Sequence, residues 1–154
     1  MNVSLRLAVL SDAELLWDMQ KRSFRETYET YRDDETTPYL EPLARTQMRL
    51  QESITRYYVI EEGGVPVGGI RIRDHGKDAP KVLGPLYVLP EMRGKGIAQK
   101  AIKLVEGIHG SENWLLDTIL QETGNCHLYE KMGYRQIGVS QIVNERMTLV
   151  LYKK

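Results

Sequence analysis

The spacing of apolar positions switches between a strand period and a helical period along the chain, and each switch predicts an element. Val3 to Ala8 can form a first strand. Ser11 and Asp12 supply capping side chains before a helix whose Leu15, Leu16, Met19 and Phe24 form an apolar stripe and which should end near Tyr28 to Tyr31. Arg32 to Pro42 is charged, with two prolines, and reads as a loop; Leu43, Met48 and Leu50 then suggest a second, weaker helix. Two β-branched runs, Tyr57 to Glu61 and Val65 to Arg73, flank Gly63-Gly64 and predict a hairpin. A turn at Asp74 to Pro80 leads into a strand from Lys81 to Leu89, interrupted at Gly84-Pro85, where proline removes a ladder donor and glycine permits a bulge.

The second half continues the alternation. Gly96 to His109 reads as a helix with Ile97, Ala101, Leu104 or Val105, and Ile108 inward and Lys100, Lys103 and Glu106 more outward. Trp114 to Thr118 is a strand, Gly124 to Met132 a short helix stopped by Gly133, and Tyr134 to Val139 and Arg146 to Tyr152 are final strands. The order βααβββαβαββ is that of a mixed α/β (α+β) domain. With 154 residues, no repeat or linker, and apolar positions continuing to Tyr152, residues 1–154 are expected to form a single domain.

The most informative stretch is Leu86-Tyr87-Val88-Leu89-Pro90-Glu91-Met92-Arg93-Gly94-Lys95-Gly96-Ile97-Ala98. A strand ends at Pro90, and Gly94 and Gly96 flank a helix start, where unpaired amides and the positive dipole end favour an anion such as phosphate. The glycines admit phosphoryl oxygens close to the backbone, while Arg93 and Lys95 add mobile positive charge. A nucleotide P-loop is excluded, because Lys95 is followed by Gly96 rather than Ser or Thr. A dinucleotide fingerprint fits poorly, since Gln99 stands where its third glycine or alanine belongs. Taken alone, the loop also admits a glycine-rich turn that binds nothing.

Composition changes this picture in two places. Twenty-one Lys plus Arg balance 21 Asp plus Glu, so neither a nucleic-acid nor an anionic-membrane partner is expected. The balance is uneven along the chain: residues 1–78 carry a net −3 and residues 79–154 a net +3. The positive half contains the glycine loop; the negative half contains Glu26, Glu29, Asp33, Asp34, Glu35 and Glu41, against Arg32 alone. A lone Cys126 and an N-terminal stretch broken by Arg6 predict a cytoplasmic protein without export, and three His with one Cys predict no metal site.

With Asn125-Cys126-His127-Leu128-Tyr129-Glu130-Lys131-Met132-Gly133-Tyr134 added to the loop, the sequence resembles the GNAT superfamily of acetyl-coenzyme A dependent N-acetyltransferases. The resemblance covers essentially the whole chain and implies a central mixed, mostly antiparallel sheet flanked by helices. It implies that Arg93, Gly94, Lys95, Gly96, Ile97 and Ala98 hold the coenzyme pyrophosphate, with Glu91 at the first signature position, where the family has Gln or Arg. Leu86 to Val88 would pair with the pantetheine arm through the backbone of Leu86 and Val88, and a bulge at Gly84-Pro85 would free an N–H to polarise the thioester carbonyl. Tyr129 falls where many members carry the acid that protonates the leaving thiolate. Many members also place an Asn seven residues before that Tyr; here Glu122 stands there and Asn125 four before, so either residue is a candidate for coenzyme contact.

The implied reaction is transfer of acetyl from acetyl-CoA to a primary amine of a small molecule or peptide, directly in a ternary complex. The acidic segment after the first helix makes a cationic acceptor the expected choice. Tyr28, Tyr31, Tyr39 and Tyr87 are candidates to line its pocket. The general base is unassigned between water, Glu122 and Asp117, and a homodimer through the final strands is open. A noncatalytic acyl-CoA sensing module is the alternative, which retention of Tyr129 disfavours.

Overall fold

The computed structural model describes residues 1–154. Seven strands, β1 (Val3–Leu7), β2 (Thr55–Glu62), β3 (Val65–Arg73), β4 (Lys81–Val88), β5 (Trp114–Ile119), β6 (Arg135–Ile142) and β7 (Thr148–Lys153), form one sheet in the order β1-β2-β3-β4-β5-β7-β6. Every pairing is antiparallel except β4 with β5. Four helices, α1 (Ala13–Tyr31), α2 (Leu43–Gln51), α3 (Ile97–His109) and α4 (Thr123–Lys131), complete the mixed α/β architecture and reproduce the order expected from apolar spacing.

The sheet has two differently filled faces. Ile70, Ile72, Leu83, Trp114 and Leu116 pack with Ile97, Ala101, Ile102 and Val105 of α3 and with Tyr129 of α4. On the other face Tyr57, Val59 and Tyr87 meet Leu16 and Met19 of α1. Period-two alternation then turns Arg71 and Arg73, between and beyond the buried Ile70 and Ile72, toward the α1 and α2 side.

Local differences from the expected pattern have local causes. Asp12 points backward rather than into α1: it accepts from the Val9 amide at 2.8 Å and pairs with Arg6 at 3.0 Å. Met48 is 50% exposed because α2 buries Thr46 instead, and Ile108 is 58% exposed because α3 turns Ala101, Ile102 and Val105 inward. The segment after α1 contains a short helical turn at Pro38–Leu40, capped by the Thr37 hydroxyl. The last hairpin begins one residue late and runs longer in β6, an exposed edge strand.

The feature that creates a site is the separation of β4 from β5. Their parallel ladder has only Lys81↔Trp114 and Val82↔Leu115. Beyond Val82 the strands diverge, and Gly84 and Pro85 also drop out of register with β3. The outer edge of β4 from Leu83 onward therefore has no strand partner.

Candidate active site

Two cavities meet along this open edge. The wider, about 370 Å³, lies on the α1 and α2 side and includes Asp33, Arg49, Arg71, Arg73 and Asp117 in its wall. The narrower, about 240 Å³, runs between α1, β4 and the start of α3, with Ser23, Val88, Arg93 and Ala98 in its wall. Phe24, Thr27, Leu86, Glu122, Asn125 and Tyr129 line both and mark the junction.

Alternation along β4 decides which backbone groups face the narrow cavity. The Leu89 amide donates to Val67 of β3, so residues 87 and 89 address the sheet while Leu86 and Val88 address the cleft. The Arg93 Nε confirms this from the other side by donating to the Val88 carbonyl at 3.2 Å. Arg93 Nη2 also donates to the Ser23 carbonyl of α1, and its Nη1 lies 3.8 Å from Glu26. Arg93 therefore clamps the glycine loop between β4 and α1 rather than moving freely. Lys95 is exposed, and its ammonium donates to the Met92 sulfur at 3.9 Å.

Gly94 and Gly96 have φ of +76° and +78°, a left-handed region costly for other residues, and nothing lies within 4 Å of where a Cβ would stand at either. The first helical bond of α3 joins the Lys100 amide to the Gly96 carbonyl, leaving the amides of Ile97, Ala98 and Gln99 without helical acceptors. The Ile97 side chain is buried in the core and fixes this turn from beneath. Glu91, at the first signature position, turns toward Arg22 of α1 at 3.8 Å. Open space over positive-φ glycines, free helix amides and an unpartnered strand edge suit a pyrophosphate with an extended arm.

At the junction, Tyr129 is 9% exposed and its hydroxyl makes no hydrogen bond within the protein. Burial, then the nearby charge of Asp117, raises its pKa, so the phenol keeps its proton. Glu122, the residue before α4, accepts a 2.6 Å bond from the Tyr31 hydroxyl. Burial and that bond push the Tyr31 pKa up to about 12, which makes Tyr31 a fixed donor to Glu122. Desolvation raises Asp117, with Arg73 partly opposing it.

The acidic segment is divided by the fold. Only Asp33 and Glu41 of its six carboxylates reach the wide cavity. Glu41 is neutralised by Arg49 through bonds of 2.8 and 2.9 Å and also accepts from Gln20 at 2.8 Å. Asp33 is 2% exposed, with one oxygen unpartnered. Among the tyrosines, Tyr87 lines the narrow cavity, Tyr31 acts through Glu122, and Tyr28 and Tyr39 stack on each other outside both cavities. Sequence reasoning missed Arg71 and Arg73. Two arginines at alternate positions of a strand whose other positions are buried isoleucines are the signal that would have found them.

The family described as the acetyltransferase (GNAT) family matches residues 13–134. The chain belongs to this family. No curated protein sequence matches this GNAT acetyltransferase. Among solved structures, an acetyltransferase from Thermus thermophilus shares 17% identity over 99% of this chain and 96% of its own, with a TM-score of 0.76. The PaiA N-acetyltransferase of Thermoplasma acidophilum, solved with coenzyme A, shares 17% over the whole of both chains, at 0.73. The spermidine N-acetyltransferase of Vibrio cholerae, solved with coenzyme A and spermine, shares 16% over 98% and 94%, at 0.77. At these identities the likeness is one of fold. No helix of this GNAT acetyltransferase is long and apolar enough to cross a membrane.

Proposed function

We propose that the protein transfers acetyl from acetyl-CoA to a primary amine of a small molecule or peptide, directly in a ternary complex. The observation that carries this reading is the meeting of two cavities at Tyr129, whose ring is held in the core while its hydroxyl makes no hydrogen bond within the protein. The coenzyme enters along the narrow cavity: the amides of Gly94 to Ala98 receive the pyrophosphate, Arg93 holds their loop in place, and the cleft-facing backbone of Leu86 and Val88 receives the arm. Asn125 borders the thioester end of this path.

The amine enters from the wide cavity. It arrives as an ammonium and must lose a proton before attack; Glu122, shared by both cavities and oriented by Tyr31, takes it directly or through one water. The cosubstrate supplies an activated acetyl group. A backbone N–H on the open edge of β4 polarises its carbonyl, and Tyr129 donates its proton to the departing sulfur. The exposed edge strand β6, with Ile137, Val139 and Ile142 uncovered, supports a homodimer through the last strands. Initial rates measured over both substrates test the direct route. Intersecting double-reciprocal lines and no acetylated protein by mass spectrometry are expected; parallel lines with an acetyl-enzyme would contradict it.

A further inference from the structure

We propose that the acetyl acceptor is an amine that also carries an anionic group, carboxylate or phosphate, and that Arg73 selects it; this rests on the acetyl-transfer reading above. Three arginines line the wide cavity, and two are satisfied internally. Arg49 is held by both oxygens of Glu41, and Arg71 by Glu52 at 3.0 Å and the Thr55 hydroxyl at 3.2 Å. Arg73 makes no hydrogen bond or ion pair, and its Nε is buried without a partner. A guanidinium presents a planar fork of donors matched to carboxylate or phosphate, so an unpaired one in a cavity wall is a ready anion clamp.

The sheet explains why this cation is unpaired although carboxylates share its cavity. Arg73 pairs with Val82, and Val82 with Leu115, so these three stand in one row across β3, β4 and β5. Asp117, two residues beyond Leu115, faces the same side, but β5 is by then leaving β4, and Asp117 forms no ion pair with Arg73. The cavity is thus bipolar. Arg73 lines only the wide part, while Glu122 lies at the junction where acetyl is transferred. A third element, the loop after α1, adds the unpartnered oxygen of Asp33.

A ligand of one charge sign leaves one end unsatisfied, and a polyamine would bring a cation against Arg73. An amine with an anionic group satisfies both: ammonium toward Glu122 and Asp117, anion on Arg73. A cavity of about 370 Å³ is at the lower end of small-molecule sites and has room for an amino-acid-sized acceptor.

The test compares kcat/KM for matched acceptors with acetyl-CoA. The carboxylate arm sets the twenty L-amino acids against their C-terminal amides, and the phosphate arm sets 2-aminoethyl phosphate against 2-aminoethanol. In at least one arm the anionic member is expected to be preferred by tenfold or more. Arg73→Gln should abolish that preference by raising KM for the anionic member, with KM for acetyl-CoA unchanged, and Arg73→Lys should restore part of it. Equal use of matched acceptors, preference for spermidine, or a preference that survives Arg73→Gln would overturn the inference while leaving acetyl transfer intact. Absence of turnover with every amine would overturn both.

Discussion

Two glycine-to-alanine changes in or beside α3 should have opposite effects, and the contrast tests the proposed phosphate role of the glycine loop. At Gly96, φ is +78°, and an L side chain there loses about 1–2 kcal/mol. A chain of this length shifts its Tm by about 2–4 °C per kcal/mol, so Gly96→Ala should melt about 2–8 °C lower. Gly107 lies within α3 (Ile97–His109), has no positive φ, and a Cβ there meets nothing within 4 Å. Gly107→Ala should therefore gain about 0.5–1 kcal/mol, or about 1–4 °C. The Cβ at Gly96 meets no protein atom within 4 Å, so under the proposed function it stands where the phosphate would sit. Titration calorimetry with coenzyme A should show at least a tenfold loss of affinity for Gly96→Ala and none for Gly107→Ala. Unchanged affinity in Gly96→Ala refutes the loop as the phosphate cradle, and a raised Tm in that variant refutes the backbone argument.

Four further outcomes are expected. Tyr129→Phe should lower kcat by about 10²-fold or more while the thermal shift with acetyl-CoA persists. Glu122→Gln should lower kcat by a similar factor of about 10², with coenzyme affinity retained, as read by stopped-flow and calorimetry. Gly69→Ala places a Cβ 2.5 Å from the buried Tyr87 hydroxyl, which bonds Tyr57 at 2.7 Å; displacing that ring should cost about 1–3 kcal/mol, seen as a lower urea midpoint. Asp33 is buried and its pKa is raised by desolvation, so the native state binds more protons than the unfolded chain just above the usual carboxylate range. Stability therefore falls as pH rises through that interval, and Asp33→Asn should melt higher than wild type at neutral pH, with the difference vanishing in acid.

Where one physical rule dominated, elements were legible from residue order alone. Gly63-Gly64 between β-branched runs could hardly be anything but the β2–β3 turn, and the strand, glycine loop and apolar helix from Leu86 to His109, on which the proposed anion site rests, were readable before any fold was known. The proposed amine side was not readable in the same way, because the wide cavity is assembled from residues far apart in sequence. Asp33, Arg73, Asp117 and Glu122 come together only because β5 leaves β4 after Val82. Charge counting over Glu26 to Glu41 overstated the acidity that this segment brings to the wide cavity, since Arg49 neutralises Glu41 and the others except Asp33 lie outside it. Met48 and Ile108 mark a related limit: helical spacing identifies an apolar stripe, but packing decides which of its members are covered.

The proposed function requires amine-dependent acetyl transfer at the junction marked by Tyr129. Its most direct measurement follows free thiol and acetylated amine together, by thiol reagent and mass spectrometry, in the purified protein with acetyl-CoA and an amine panel. Equimolar appearance of both, dependent on the amine and strongly reduced in Tyr129→Phe, is the predicted result. Saturable binding of acetyl-CoA with no amine-dependent thiol release would contradict it and identify a coenzyme-sensing module instead.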